Sequence, residues 1–217
     1  MGAEIGSKEE ILRRIRAANG VPSTDKTARS RWETIPRRYK RSGTQPLHRV
    51  LELLEDRLRD YDAMVFHCGR QYLASCVAER LTARSKRRIV VPVGVPVEWL
   101  PEGFEFVVDE KLAATDLDMV EGVLTGASIA IAETGTVVLQ NVPGQGRRAI
   151  SLVPDYHLCV VCADDVVETV PEAFKRLQNT AGLATTFISG PSATADIEMT
   201  RIKGVHGPRV LDVILFG

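Results

Sequence analysis

Apolar positions at helical spacing open the chain. Ile11, Leu12 and Ile15 form a stripe within residues 7–19; Ser7 and Glu10 have the spacing of a capping box, and Asn19-Gly20 ends the segment. Residues 20–46 lose that period. They are polar, carry Pro22, Pro36, Gly43 and Pro46, and are predicted to form an extended arm. A regular alternation begins at residue 47. Leu47, Val50, Leu51, Leu54 and Leu58 predict a helix, and DAMVFHCG (62–69) a short strand. Leu73, Cys76, Val77 and Leu81 predict a helix within 70–83, followed by strands at RIVVPVG (88–94) and FEFVVD (104–109). Strands that are apolar on both faces and alternate with helices predict a parallel sheet covered by helices.

The second half is richer in strands: SIAIA (128–132), TVVLQ (136–140), HLCVVCA (157–163), TTFISG (185–190) and VLDVILF (210–216). Between them, Thr169 and Glu172 make a second capping box around Pro171, with Phe174 and Leu177 as the helix's core face. PGQGRR (143–148) is a glycine-rich basic loop. The expected fold class is α/β, a Rossmann-like, mostly parallel sheet flanked by helices. Residues 1–46 are expected to form an N-terminal helix and basic arm, and 47–217 the α/β domain.

Composition changes this picture little, but charge adds to it. The 217 residues suit one domain with an appended arm, and no apolar run reaches the length of a membrane span. MGAEIGSKEEILRR lacks an apolar signal region, so a cytoplasmic location is expected. The net charge is zero, yet residues 1–50 hold 12 Lys/Arg against 5 Asp/Glu, leaving +7 there and −7 in the remainder. Trp32, Ile35 and Tyr39 intersperse these charges and no nucleic-acid motif accompanies them. A protein partner or self-docking is therefore expected, with no nucleic acid and no membrane span.

Cys159-Val-Val-Cys162 has CxxC spelling, but on a strand residues three apart point to opposite faces. These thiols read as small buried hydrophobes. No second CxxC follows, so no iron–sulfur cluster is expected within this chain. HExxH, GxSxG and P-loop patterns are missing, and no metal site is expected.

Candidate chemistry lies in three polar clusters: Glu133-Thr134-Gly135-Thr136, Gly190-Pro191-Ser192-Ala193-Thr194-Ala195-Asp196, and Gly204-Val205-His206-Gly207-Pro208. They are expected to converge beyond the carboxyl ends of the strands, where open α/β sheets bind ligands. Glu133, leaving an apolar strand, would be a desolvated acid, base or nucleophile, or else a structural carboxylate receiving turn N–H groups. The Gly190–Asp196 stretch could cradle a carboxylate or phosphate, or simply cap a short helix. His206, between glycines, is a candidate acid or base, or an ordinary turn residue. Asp155 could orient His157 or another site group.

AIAETGTVVL, LVPDYHLCVV, SGPSATADIE and KGVHGP, in this order and near this spacing, resemble the lactate-utilisation protein C family, also called the LUD-domain family. The resemblance covers most of the chain from about residue 47. It implies a fold like the NagB/RpiA/CoA-transferase-like group, and a role in oxidising L-lactate to pyruvate with partner subunits that carry iron–sulfur clusters. This chain would bind no cofactor alone. Glu133 and His206 would be catalytic, and Thr134, Gly135, Thr136, Gly190, Ser192, Thr194 and Asp196 would bind a small carboxylate ligand. The family often has a basic residue in its GPS-x-TAD motif where this chain has Ala193; an anion would then need another base, from Arg147, Arg148, Arg201 or Lys203. Two other readings are a stand-alone transferase or isomerase for an acyl or sugar-phosphate substrate, with Glu133 as nucleophile or base, and a non-catalytic adaptor that docks partners through its basic arm.

Overall fold

The computed structural model describes residues 6–19, 25–194, 202–204 and 207–217, with backbone alone at 25–27, 194, 202 and 203. It divides into two units, Met1–Tyr39 and Lys40–Gly217.

The first unit carries α1 (Ser7–Ala18) and α2 (Asp25–Thr34). The helix over 7–19 forms as predicted, but its capping box does not. The N-cap is Gly6, and Ser7 lies inside the helix. Glu10 instead pairs with Arg13 (2.8 Å) and Arg14 (2.9 Å), whose opposite charges at i+3 and i+4 are the nearer partners. α2 replaces part of the predicted extended arm. DKTARSRWET has one large apolar residue, Trp32, so no stripe announces the helix. An Arg29–Glu33 pair (3.2 Å) spans one turn, and Arg37 folds back to donate to the Trp32 carbonyl (2.7 Å) with its guanidinium over the indole.

The second unit runs α3 (Leu47–Asp60), β1 (Met64–Cys68), α4 (Leu73–Ala83), β2 (Arg88–Pro92), β3 (Glu105–Asp109), α5 (Ala114–Asp118), β4 (Gly122–Gly126), β5 (Ile129–Ile131), β6 (Thr136–Gln140) and β7 (Tyr156–Cys162). It continues with β8 (Val166–Val167), α6 (Val170–Leu177), β9 (Thr185–Ile188), β10 (Ala193–Thr194), β11 (Ile202–Lys203) and β12 (Val210–Phe216). Six strands form one sheet, ordered β1-β12-β7-β4-β2-β3, and every pairing in it is parallel. The expected α/β class with a mostly parallel sheet therefore holds.

α4 covers one face, burying Leu73, Val77 and Leu81 against Ile89, Leu124, Leu158 and Ile214. α3 covers the other with Val50, Leu54 and Leu58 against Val65, Cys159, Val161 and Val213. Leu54 and Leu58 are fully buried, and burial of each such side chain contributes about 2 kcal/mol. Cys159 and Cys162 lie in these two different cores, on opposite faces of β7. At the amino ends of β7 and β12, Asp212 receives Arg84 (3.0 and 2.6 Å) and the Tyr156 hydroxyl (3.1 Å), which ties both strands to the end of α4.

A second sheet, β8-β5-β6-β9, packs on the α3 side, where Ala130, Val137 and Leu139 join the same core. β5 and β6 form an antiparallel hairpin, with Ile129 opposite Val138 and Ile131 opposite Thr136. The Thr169 capping box forms as predicted: Glu172 accepts from the Thr169 amide (2.9 Å) and its own amide donates to Thr169 Oγ1 (3.4 Å).

Candidate functional site

Strand order reverses between β2 and β4. The chain steps outward from β2 to β3, then returns across β2 to β4. The crevice beyond the carboxyl ends at such a reversal is where open α/β sheets usually hold ligands. Here the chain fills it. The Gly144 amide donates to the Val93 carbonyl (2.8 Å), and the Gly126 amide donates to the Gly144 carbonyl (2.8 Å), so the PGQG loop bridges the two strand ends. Gly144 has φ +80°, open to glycine at no cost. Gln145 Oε1 accepts from the Gln140 amide (2.7 Å) and Ser128 Oγ (2.9 Å), anchoring the loop to β6. The next residue but one, Arg147, clamps Asp109 at the end of β3 with two bonds (2.8 and 2.9 Å) and donates to the Leu112 carbonyl. Arg147 holds the Asp109 carboxyl below the usual carboxylate range.

A cavity of about 360 Å³ lies at the opposite end of the sheet. His157 and Leu211, each the second residue of its strand, line it from the amino ends of β7 and β12. The turn carrying Arg148 and Ser151 forms one wall, and β9 with Ser189, Gly190 and Ser192 forms another. The Ser192 amide donates to the Pro208 carbonyl (2.8 Å) and the Gly204 amide to the Ser192 carbonyl (2.9 Å), which draws Gly207 and Pro208 to the same rim. Gly190 (φ +83°) packs so close to Tyr61 that a Cβ would sit 2.4 Å from the Tyr61 Cβ, so the bend needs glycine.

His157 is 1% exposed. Its Nε2 is 2.8 Å from Thr125 Oγ1 on the neighbouring β4. Burial pushes its pKa down to about 4, so the imidazole is neutral near pH 7. Arg148 is exposed at the mouth, where Nη1 reaches Thr186 Oγ1 at 3.4 Å. Ser189 Oγ is 2.7 Å from Thr136 Oγ1, which in turn is 2.8 Å from Thr134 Oγ1. One guanidinium, several hydroxyls and a neutral imidazole around an otherwise apolar cavity suit a small anionic organic molecule.

The structure brings Gly190 and Ser192 to this cavity, and it connects Thr136 and Thr134 to it through Ser189. Glu133 is placed elsewhere. It sits in the β5–β6 turn, where its carboxylate pairs with Lys40 (3.1 Å) and its amide donates to the Glu168 carbonyl (3.0 Å). Of the two readings of Glu133, the structure does not show the desolvated acid: the carboxylate is partly exposed and paired. Lys40 also meets the buried Glu168, which accepts the Thr44 and Gln45 amides (2.7 and 2.9 Å). Lys40 and these two amides lower the Glu168 pKa. Gly135 (φ +56°) makes the turn against the Arg57 backbone of α3. His206, Asp196 and the Thr194 side chain lie outside the described residues.

Asp155 does not orient His157; it forms two bonds with Arg209 (2.5 and 2.9 Å). Of the four candidate anion-binding bases, Arg147 is committed to Asp109 and Arg148 lines the cavity, while the side chains of Arg201 and Lys203 lie outside the described residues. Of the three clusters, the described parts of the second and third, Gly190–Ala193 and Gly207–Pro208, meet at amino ends and not at carboxyl ends, because β9, which delivers the Gly190 bend, belongs to the second sheet. His157 on the cavity floor carried one weak sequence signal, an imidazole inside an otherwise apolar strand. No group of three or more His, Cys, Asp or Glu side chains among the described residues is arranged to hold a metal ion.

The LUD domain model matches residues 108–216, a stretch that contains every residue lining the cavity. The chain belongs to the LUD-domain family, among the lactate utilization protein C proteins. It is 44% identical to Lactate utilization protein C of Deinococcus radiodurans over 177 residues, covering 79% of this chain and 82% of that relative. With Lactate utilization protein C of Shouchella clausii it shares 34% identity over 105 residues, 46% of this chain and 45% of the other. The crystal structure of a DUF162 family protein from D. radiodurans superposes with a TM-score of 0.71 at 38% identity, over 80% of this chain and all of that one.

Proposed function

We propose that this chain is a component of a lactate-utilisation system, and that the amino-end cavity holds the small carboxylate, L-lactate, that the system oxidises to pyruvate. The observation that carries this reading is the pairing of Arg148 at the mouth with the buried neutral His157 on the floor of one cavity. A guanidinium binds a carboxylate through charge-assisted hydrogen bonds. A neutral imidazole exchanges a proton or a hydrogen bond with a neighbouring hydroxyl. The relatives named for lactate utilisation support the substrate.

Oxidation of lactate releases two electrons and two protons, and side chains alone take up no electron pair. The electrons would pass to iron–sulfur clusters in partner subunits. This chain's residues would bind and orient the acid and handle its protons. The test is calorimetric titration of the purified chain with L-lactate, followed by turnover assays with and without the iron–sulfur subunits. L-Lactate should bind, Arg148→Ala should weaken it at least about tenfold, and turnover should need the partners. Turnover by the chain alone, or undiminished binding in the variant, would contradict the reading.

A further inference from the structure

The groups behind His157 bear on its tautomer. Strand β4 is in register with β7 so that Val123 faces His157 and Thr125 faces Cys159. Thr125 Oγ1 therefore sits between the imidazole and the thiol, 2.8 Å from His157 Nε2 and 3.9 Å from Cys159 Sγ. Cys159 Sγ is in turn 4.0 Å from the carbonyl oxygen of Gly126. A carbonyl oxygen only accepts, so the thiol proton is directed at Gly126 and the sulfur offers Thr125 a lone pair. In the inferred arrangement the Thr125 hydroxyl donates to that sulfur, and its oxygen receives the proton on His157 Nε2. The thiol keeps its proton for this purpose, because burial pushes its pKa up to about 12. Sulfur contacts at these distances are weak, but each favours the same direction.

The other ring nitrogen then carries a lone pair. Nδ1 of His157 has no hydrogen-bond partner among the described residues. It is not sealed either: the one enclosed side-chain nitrogen or oxygen without a partner among the described residues is Nε of Arg80. His157 lines the cavity, and we place Nδ1 on its cavity side. The geometry points to His157 Nδ1 as a fixed acceptor that selects ligands bearing a hydroxyl beside the carboxylate gripped by Arg148. This rests on the carboxylate reading of the cavity. A 2-hydroxy acid donates its hydroxyl to Nδ1. A 2-oxo acid presents an oxygen lone pair to a nitrogen lone pair, and an unsubstituted acid leaves the buried acceptor unpaired. The chain would hold lactate and release pyruvate for the same reason. Thr125 and Cys159 are positioning residues, acting through the ring.

Two measurements on the full-length chain test this. In nitrogen-15 NMR of labelled histidine without ligand, His157 should show the pattern of a protonated Nε2 and a bare Nδ1; a protonated Nδ1 overturns the inference. In calorimetric titrations at pH 7, L-lactate should bind about tenfold more tightly than propionate, with pyruvate weaker than L-lactate. His157→Phe should still bind all three but bring the lactate-to-propionate ratio close to one. Thr125→Val should reduce that ratio, and Cys159→Ser, which keeps a donor in the same place, should preserve it. If the three acids bind the unaltered chain equally, the selection by His157 is wrong while the carboxylate site stands. If none binds, the carboxylate site is wrong and the selection falls with it.

Discussion

The β2–β4 crevice and the amino ends of β7 and β12 are built differently. At the carboxyl ends, the reversal between β2 and β4 offers the place where such sheets usually bind ligands. The PGQG loop occupies it with backbone hydrogen bonds at 2.8 Å and ties itself down through Gln145 and Arg147. At the amino ends, the second sheet delivers β9 and the Gly190 bend alongside β7 and β12, leaving a cavity of about 360 Å³. The crevice that the strand-order rule names is thus filled by an inserted loop, while the cavity that collects the polar side chains opens at the amino ends of β7 and β12. The difference is visible in two adjacent residues: Arg147 ties down the loop over the β2–β4 crevice, and Arg148 lines the amino-end cavity.

That contrast can be broken most sharply at those arginines. Arg147→Ala leaves Asp109, whose side chain is 4% exposed, without its charged partner. Because Arg147 itself is about one-third exposed, the loss should fall near the lower limit for a buried pair, about 2–3 kcal/mol in chemical denaturation. Carboxylate affinity should be unchanged in the folded variant. Arg148→Ala should do the reverse, shifting stability by less than about 0.5 kcal/mol while weakening carboxylate binding.

The open end should also announce itself through pH. The folded-state pKa of His157, about 4, lies below the ordinary 6.5. Above pH 6.5 the ring is neutral in both states and costs nothing. As pH falls the unfolded chain takes up the proton first, so stability declines between 6.5 and about 4. The loss from this one group reaches about 3 kcal/mol. Denaturation midpoints across that range should fall less steeply in His157→Gln than in the unaltered chain. Equal slopes would mean that the imidazole is not held neutral.

The smallest effect is expected at the hairpin. Glu133 pairs with Lys40 at a partly exposed position. Glu133→Gln should cost less than about 1 kcal/mol, and L-lactate affinity in titration should change by less than about twofold. A tenfold loss would bring the hairpin acid into the ligand site and undo the separation drawn here.

Much of the frame was legible in the chain because buried parallel strands write themselves as apolar runs. VLDVILF and HLCVVCA are β12 and β7 almost residue for residue. β4 was not legible, since GVLTG holds two glycines in five residues and alternates with nothing. The α2 helix was hidden by its lack of an apolar stripe. Apolar runs also do not state their partners, so SIAIA and TVVLQ gave no sign that they form a hairpin in a second sheet. This is why the polar clusters were expected at the carboxyl ends, whereas the Gly190 bend meets β7 and β12 at their amino ends. The Gly190–Ser192 and Gly207–Pro208 stretches do meet, as their composition suggested, and Thr136 reaches them through Ser189. The places of Arg148 and His157 at the cavity depend on register and on which arginine Asp109 takes. Both are set by contacts across dozens of residues that no local pattern records.

The most direct test of the open end as the ligand site is a titration of the nitrogen-15-labelled chain with L-lactate, followed by amide NMR. The account predicts that the signals of Ser151, Gly190, Ser192 and Leu211 move with a common saturation curve while those of Gly94, Gly126 and Gly144 stay in place. Movement confined to the three glycines at the carboxyl ends would contradict it.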